Sequence, residues 1–478
     1  MATFQILNFG CRASQADGAA INKQLLESGF QEAENVAASE VAILNTCTVT
    51  GRADAEVRQL VRRIHRANPR CRILVTGCYA QRSPSEIAHL GGVIWVVGNS
   101  HKHVIADLMS SNMYQESGVR SQESEAAGRA ELVQIRQLEA IPSTSDLAAV
   151  GVPTPTAPPG ALQQPLVLVG EISEEFHFAP VFPDDRTRPT LKVQDGCNAR
   201  CSFCVIPSVR GRSRSLAPAK VLEQVRELER SGYKEIVLSG INLGSYGRDL
   251  DRRITFQSLL ERLLNETAIA RLRISSIEPM DVSPSLIKLA ASEARLAQHF
   301  HIPLQSGCSR ILRLMNRRYW PSQYAERILA IREQIPNAGI GADVMVGFPG
   351  ETGHDHAASA AFIDSLPFTY LHIFPYSARP QTPAAASPQQ VNGRVAHERA
   401  NEIRALLARK RQAFLQAQVG CDLSALTLDE SQDGERVSLS SNYLKIVLAG
   451  SDLPHNTLVD VRIGRVHEGL LFGFSDQG

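Results

Sequence analysis

The sequence predicts an α/β chain built as an open parallel α/β domain, a central partial (βα)6 barrel and a small terminal β-barrel. Three observations carry this. Residues 4–110 alternate short apolar runs with helical patterns, a second series of six such repeats runs from residue 190 to 374, and the last sixty residues switch to period-two alternation around turn residues. In the first series FQILNF is followed by a helical stretch over 14–29, VAILN by 52–67, RILVTG by 83–90 and VIWVV by 101–110. Strands separated by helices of that length make a parallel sheet with crossovers. The second series runs TLKVQD, KEIVLSG, RLRISS, FHIPLQ, IGADVMVGF and YLHIF, with amphipathic segments between. A helix is expected through 394–417, and DLSALTLDE, RVSLSS, YLKIVLAG, TLVDVRIGRV and LLFGFS then supply five strands for a small barrel. Between the two series, 115–173 holds no aromatic residue and 142–165 holds six prolines, the composition of a flexible linker. The expected boundaries are 1–110, a linker over 111–185, 186–418 and 419–478.

A chain of 478 residues with 43% hydrophobic and 21% charged residues has ordinary globular composition, and no apolar run approaches the ~20 residues needed to span a bilayer. The start MATFQILNFGCRAS lacks a basic segment followed by a long apolar stretch, so the expectation is a cytoplasmic protein with no membrane partner. In a reducing compartment nine cysteines are poor candidates for disulfides, and an odd count cannot pair completely. Metal or redox chemistry is the better first reading. The net charge of +1 gives no global argument for a polyanionic partner. Local basic clusters exist at Arg52, Arg58, Arg62, Arg63, Arg66, Arg70 and Arg72, and at Arg200, Arg210, Arg212 and Arg214. A solvated face and phosphate contact both remain open for them.

GCNARCSFC places Cys197, Cys201 and Cys204 at CxxxCxxC spacing directly after the first strand of the second series. Three thiolates converging on one point suit an iron-sulfur cluster or zinc, and zinc normally closes with a fourth Cys or a His. No His lies between His177 and His299. Three ligands on a four-iron cluster leave one iron free to chelate a cosubstrate. Phe203, the aromatic before the third Cys, completes the radical S-adenosylmethionine (SAM) signature, in which the open iron holds the amino and carboxyl groups of SAM. A three-cysteine zinc site is the alternative.

A second triplet is spread out: Cys11 follows FQILNF, Cys47 follows VAILN and Cys78 follows RILVTG. In an open parallel sheet the carboxyl ends of the strands share one edge, so residues far apart in sequence can converge there. Cys71, Cys308 and Cys421 show no such relation and read as small apolar residues. Phe203, Gly240, Glu278 and Gln305 fall at or after strand ends facing the presumed cavity, where a cosubstrate would lie.

NFGCRAS, NTCTVT, TGCYAQR, DGCNARCSFCVIPSVRGRSRS, LSGINLGSYGRDL, RISSIEP, HIPLQSG, VGFPGET and FPYSARPQTPAA resemble, in order and spacing, the radical SAM methylthiotransferase family. SGINLGSYG, SSIEP and FPYSARPQTPAA resemble the branch acting on N6-threonylcarbamoyladenosine beside the tRNA anticodon. The resemblance covers nearly the whole chain outside the linker. It implies a radical-SAM [4Fe-4S] cluster on Cys197, Cys201 and Cys204, an auxiliary [4Fe-4S] cluster on Cys11, Cys47 and Cys78, and a TRAM-like RNA-binding domain at the C-terminus. It implies further that SAM is cleaved to a 5'-deoxyadenosyl radical that abstracts hydrogen at adenine C2 of position 37. The auxiliary cluster then delivers sulfur and a second SAM the methyl group. An aromatic C–H is too weakly acidic for a side-chain base, so a radical is needed. The partners expected are tRNA, an electron donor of flavodoxin or ferredoxin type, and a sulfur source. Arg210, Arg212 and Arg214 beside the cluster loop, and Arg462 and Arg465 in the terminal barrel, are expected to contact tRNA phosphates. The rival readings are a sister enzyme acting on isopentenyladenosine or on a ribosomal-protein aspartate, and a non-catalytic iron-sulfur RNA-binding sensor.

Overall fold

The computed structural model describes residues 2–116, 165–173, 187–251, 253–450 and 453–475. Two compact units emerge: Met1–Gly10, Ile21–Thr48 and Arg52–Ser173 form one, and Cys11–Ala20, Val49–Gly51 and Glu174–Gly478 the other.

The first unit holds a six-stranded parallel sheet of β1 (Thr3–Asn8), β2 (Gln31–Glu32), β3 (Val41–Thr46), β4 (Arg72–Gly77), β5 (Val93–Gly98) and β6 (Leu166–Leu168), in the order β2-β1-β3-β4-β5-β6. β3 is buried at every position, because Val41 and Ile43 join the apolar cluster on one face while Ala42 and Leu44 join that on the other. A strand covered on both faces must read as a continuous apolar run, as VAILN does. The helix Gly51–Ala67 buries Val57, Val61 and Ile64, the i, i+4, i+7 stripe of one face.

The expected linker over 111–185 needs correction where it is described. The helix Ile105–Glu116 runs into it, and β6 pairs with β5 through Trp95↔Leu166 and Val97↔Leu168. These three residues extend the sheet rather than link domains. Residues 117–164 and 174–186, including the proline-rich run, lie outside the described residues.

In the second unit β7 (Thr190–Lys192), β10 (Glu235–Ser239) and β11 (Arg271–Ile274) form one parallel sheet, and β12 (His299–His301), β13 (Gly339–Val346) and β14 (Tyr370–Pro375) another. Parallel bridges Leu272↔Leu296 and Ser276↔His301 join them, so the strands follow one another as the expected partial barrel. A short antiparallel pair, β8 (Gln194–Asp195) with β9 (Arg214–Ser215), brackets the CxxxCxxC loop. After the helix Gly393–Gln416, β15 (Asp422–Gln432), β16 (Glu435–Ser440), β17 (Lys445–Leu448), β18 (Leu458–His467) and β19 (Leu470–Phe474) close a barrel in the order β15-β16-β17-β19-β18. In β18 Val459, Val461 and Ile463 are buried and Arg462 is exposed, as strand alternation requires, while a register shift between Ile463 and Arg465 turns Arg465 out as well.

The starts of the central strands carry a buried ionic cluster. Glu235, fully buried, accepts from Arg273 at 2.7 and 3.1 Å and lies 3.4 Å from Arg188 and 3.4 Å from Arg271. Arg273 also donates to the carbonyls of Ser440 (3.1 Å) and Ser441 (3.0 Å), and Arg271 to Ser424 Oγ (2.7 Å), which fastens the terminal barrel to the strand bases. Burial alone would raise the Glu235 carboxyl, but the arginines, Arg273 foremost, hold it down at about 2. A carboxyl depressed in the folded state stabilises above its unfolded pKa, roughly 4.3, and loses that contribution as pH falls towards about 2. Glu235→Gln strips three buried cations of their shared anion, so it should cost about 3–5 kcal/mol in denaturant unfolding at neutral pH. A variant within about 1 kcal/mol of wild type, a margin far below that of ~3–5 for breaking a buried pair, would contradict this.

Candidate functional site

The loop after β8 is pinned from several sides. Gln194 Nε2 donates to the carbonyls of Asp195 and Gly196, both at 2.8 Å, and to Ser213 Oγ at 2.9 Å, while its Oε1 accepts from Asn242 N at 2.7 Å. Gly240 makes room for this side chain, since a Cβ there would lie 2.9 Å from Gln194 Oε1 and 2.9 Å from Leu243 Cδ2. Its role is steric. Asp195 Oδ1 caps Gly196 N at 2.8 Å and takes Arg210 Nη1 at 3.0 Å. Burial would raise the Asp195 carboxyl, but Arg210 and then Lys192 hold it at about 2.

On this frame stand Cys197, Cys201 and Cys204, all partly buried and none in a disulfide. Each thiol meets a polar hydrogen: Cys197 Sγ has Ala199 N at 3.4 Å and Asn242 Nδ2 at 3.8 Å, Cys201 Sγ has Arg317 Nη1 at 3.4 Å, and Cys204 has the backbone N–H of Ile206. Burial raises the Cys197 thiol and pushes Cys204 up to about 12. As free thiols they stay protonated at neutral pH, so they become thiolates only against a compensating cation. Three thiols on one loop, each with a polar hydrogen at hand, are a donor set that fits an iron-sulfur cluster.

Phe203 packs edge-on against Phe348, ring centroids 6.2 Å apart, within an apolar group that includes Met315, Met345 and Phe374. Glu278 pairs with Arg317, the guanidinium that reaches Cys201. Gln305 stands at φ +63°, its backbone N 2.7 Å from Asp343 O, and its Oε1 is buried without a hydrogen-bond partner. Asn242 Oδ1, absent from the sequence expectations, is also buried and unpartnered. Asn242, whose Nδ2 reaches Cys197, and Gln305, whose carbonyl takes Met345 N, each leave a buried acceptor open, which fits a bound cosubstrate with ammonium and hydroxyl donors. Asn242 lies inside the LSGINLGSYGRDL motif, where Gly240 draws the attention, and Arg317 lies in no motif; only folding brings them to the cysteines.

Two arginine expectations fail here. Arg210 is 2% exposed and engages Asp195, and Arg214 donates to Arg210 O at 3.1 Å and is mostly buried. They build the loop rather than meet a phosphate; Arg212 alone of the three is exposed. In the other cluster Arg58 donates to Tyr79 OH and Glu86, both at 2.8 Å, and Arg52 pairs with Glu56, whereas Arg62, Arg63, Arg66 and Arg70 are exposed with no carboxylate partner among the described residues.

In the first unit β1, β3 and β4 are neighbours, and the residues after their carboxyl ends include Cys11, Cys47 and Cys78. Gly10 is held at φ +97°, and a Cβ on it would lie 2.4 Å from Cys47 Cβ; a Cβ on Gly77, at φ +99°, would lie 2.3 Å from Thr46 O. Glycine is required for backbones to approach so closely in that conformation. Cys47 and Cys78 are buried, Cys78 Sγ accepts from Asn99 Nδ2 at 3.5 Å, and Cys11 is exposed. Cys71 is buried beside Ser39, Cys308 faces Asp355 and Cys421 bonds Ala417 O, so none of these joins a triplet.

Comparison with known proteins gives a consistent picture. Residues 3–98 match the family described as uncharacterized protein family UPF0004, and residues 191–363 match the radical SAM superfamily. The chain is 34% identical over 444 residues to the threonylcarbamoyladenosine tRNA methylthiotransferase MtaB of Aquifex aeolicus, covering 92% of this chain and 95% of that protein. The Bacillus subtilis protein of the same name is 33% identical, with 97% and 94% covered. The tRNA-2-methylthio-N(6)-dimethylallyladenosine synthase of Pelotomaculum thermopropionicum is 32% identical, with 84% and 80% covered. Among solved structures, the radical SAM methyltransferase TsrM of Kitasatospora setae aligns with TM-score 0.52 at 15% identity, covering 80% of this chain and 74% of that one, which speaks to the fold alone.

Proposed function

This chain belongs to the radical SAM methylthiotransferase family, and from that premise we propose that it adds a methylthio group to C2 of N6-threonylcarbamoyladenosine at position 37 of tRNA. The observation that carries the reading is the near full-length likeness to two threonylcarbamoyladenosine enzymes, joined to one cysteine triplet on the loop after β8 and another that follows β1, β3 and β4. Cys197, Cys201 and Cys204 are the ligands of the radical-SAM [4Fe-4S] cluster, and Cys11, Cys47 and Cys78 those of the auxiliary one. When bound, the first supplies the electron that cleaves SAM and the second supplies sulfur. The electron comes from a donor of flavodoxin or ferredoxin type, and a separate sulfur source serves the auxiliary site.

The chain's own residues set the conditions for this chemistry. Arg317 places positive charge and an N–H against Cys201, and Glu278 fixes that guanidinium. Such donors favour the more reduced, more negative state of a thiolate-held cluster. Gln305 Oε1 and Asn242 Oδ1 orient SAM through its donors, and Phe203 with Met345 and Phe348 keeps water from the adenosyl side. Nucleoside mass spectrometry of tRNA from a deletion strain, and of tRNA treated with the reconstituted protein, tests the assignment. A methylthio group missing from dimethylallyladenosine rather than threonylcarbamoyladenosine would overturn it.

The terminal barrel offers Arg462 and Arg465 to RNA phosphates. Truncating it would also uncover the buried Arg271 and Arg273, which bond to Ser424, Ser440 and Ser441, so point variants test the idea more cleanly. Arg462 is half exposed, held at 2.9 Å by Asp422, and Arg465 lies over the Phe472 ring at 5.0 Å. The double variant Arg462→Ala and Arg465→Ala should weaken tRNA binding and lower the salt slope by about 1 for each phosphate left unneutralised, without unfolding the barrel. Binding isotherms across a salt series check it; unchanged affinity and slope would assign the barrel another role.

A further inference from the structure

Three consecutive barrel strands bring together a polar array that no motif announces. His301 Nε2 lies 3.2 Å from Asp343 Oδ2, and His372 Nδ1 lies 3.3 Å from Asp343 Oδ1, so one carboxylate spans two imidazoles. Tyr370 OH bonds the far side of His301, at Nδ1 (3.0 Å), and also His299 Nε2 (2.7 Å). The register produces this: His301 pairs with Gly341, Gly341 with Tyr370, and Asp343 with His372. Phe300, Ile302, Ile340, Ala342, Val344 and Leu371 alternate with these residues and enter the helix-packed core. The polar set therefore occupies the opposite face, the inside of the partial barrel.

Its position within the barrel is also fixed. Two residues further along the same strands, on the same face, come the paired Met345 and Phe374, which pack with Phe203 of the cysteine loop. Two residues of strand span about 7 Å, so the array forms the layer next to the one that borders the radical-generating loop. Asp343 is tied to that layer through its backbone oxygen, which takes Gln305 N at 2.7 Å. Exposure rises across the array, from 6% for His301 to 64% for the His372 side chain. Burial alone would raise the Asp343 carboxyl, but hydrogen bonds from His301 and His372 overrule it and keep the group ionised. With Nδ1 on the aspartate, His372 turns Nε2 outward, and that nitrogen bonds no described residue.

Resting on the functional reading above, we propose that His372, oriented by Asp343 and through it by His301 and Tyr370, is the residue that recognises the carboxylate of the threonylcarbamoyl group on the substrate adenosine. An imidazole ring bonded to one carboxylate and approached by a second takes up a proton at Nε2 and bridges the two, a charge-assisted contact. A dimethylallyl group at the same place offers no acceptor and would leave His372 and Asp343 dehydrated without a partner. The array thus selects the acidic N6 substituent over the apolar one, the very difference in substrate between the two kinds of relative named above.

The test uses the cluster-loaded protein with SAM and three anticodon stem-loop RNAs, bearing threonylcarbamoyladenosine, its carboxyl methyl ester, or dimethylallyladenosine. Wild type should bind and turn over the acid in preference to the ester and the dimethylallyl RNA. His372→Phe should lose roughly tenfold to hundredfold in affinity for the acid, with the loss in KM, and should bind the ester as wild type does, since a lost hydrogen bond to a charged group costs about that much. His372→Gln, which keeps a donor without charge, should fall between. Equal preference for the acid in wild type and His372→Phe overturns the inference alone. So does stoichiometric uptake of added Zn2+ or Mn2+ that vanishes in His372→Phe, which would make the array a cation site. A wild type that ignores the threonylcarbamoyl RNA altogether overturns the functional reading and this inference with it.

Discussion

Replacing Cys197, Cys201 and Cys204 together by alanine should abolish 5'-deoxyadenosine formation from SAM and lower the iron content of the reconstituted protein from about eight to about four per chain. The three thiols sit on a loop whose conformation is set elsewhere, by Gln194, Asp195 and Arg210, so the loop itself should survive the loss. Burial raises the Cys197 and Cys204 thiols, so they are neutral at neutral pH and alanine strands no buried charge. The effect should therefore be on chemistry and metal, with circular dichroism and the unfolding midpoint near those of wild type. Anaerobic iron assay and chromatographic detection of 5'-deoxyadenosine decide it, and iron remaining at the full value would remove these cysteines from the cluster.

How far the sequence could be read depended on whether a signal was local. The continuous run VAILN in β3 and the alternation in β18 are properties of a few adjacent residues, and both strands came out with the burial expected of them. CxxxCxxC is local too. Arg210 was misjudged because a basic residue after the loop looks the same whether it meets phosphate or a buried aspartate fifteen residues earlier, and only the fold brings Asp195 to it. β6 was missed because three residues beside a proline-rich stretch are too few for a period to show. His301, Asp343 and His372 lie on separate strands with helices between, so no spacing rule relates them; their convergence follows from the parallel register alone.

The second large effect is expected from Cys11, Cys47 and Cys78 replaced together by alanine: methylthiolated product should vanish while 5'-deoxyadenosine formation persists. The cysteines follow three neighbouring strands of the first unit's sheet, whereas the loop with Cys197, Cys201 and Cys204 follows a strand of the second, so the two losses should separate. Alanine suits this test better than serine. Cys47 and Cys78 are buried, and a hydroxyl there would need a partner, while alanine keeps the Cβ against which Gly10 packs at 2.4 Å from its own ideal Cβ position. The sheet beneath is held by Ala42, Leu44, Ile73 and Val75, none of which changes. Iron should fall to about four per chain, as for the other triplet, but with the opposite activity pattern. Iron assay, 5'-deoxyadenosine chromatography and nucleoside mass spectrometry on the same preparation check all three quantities. Loss of SAM cleavage in a variant that retains about four irons would mean that the two triplets do not divide the work between radical formation and sulfur delivery.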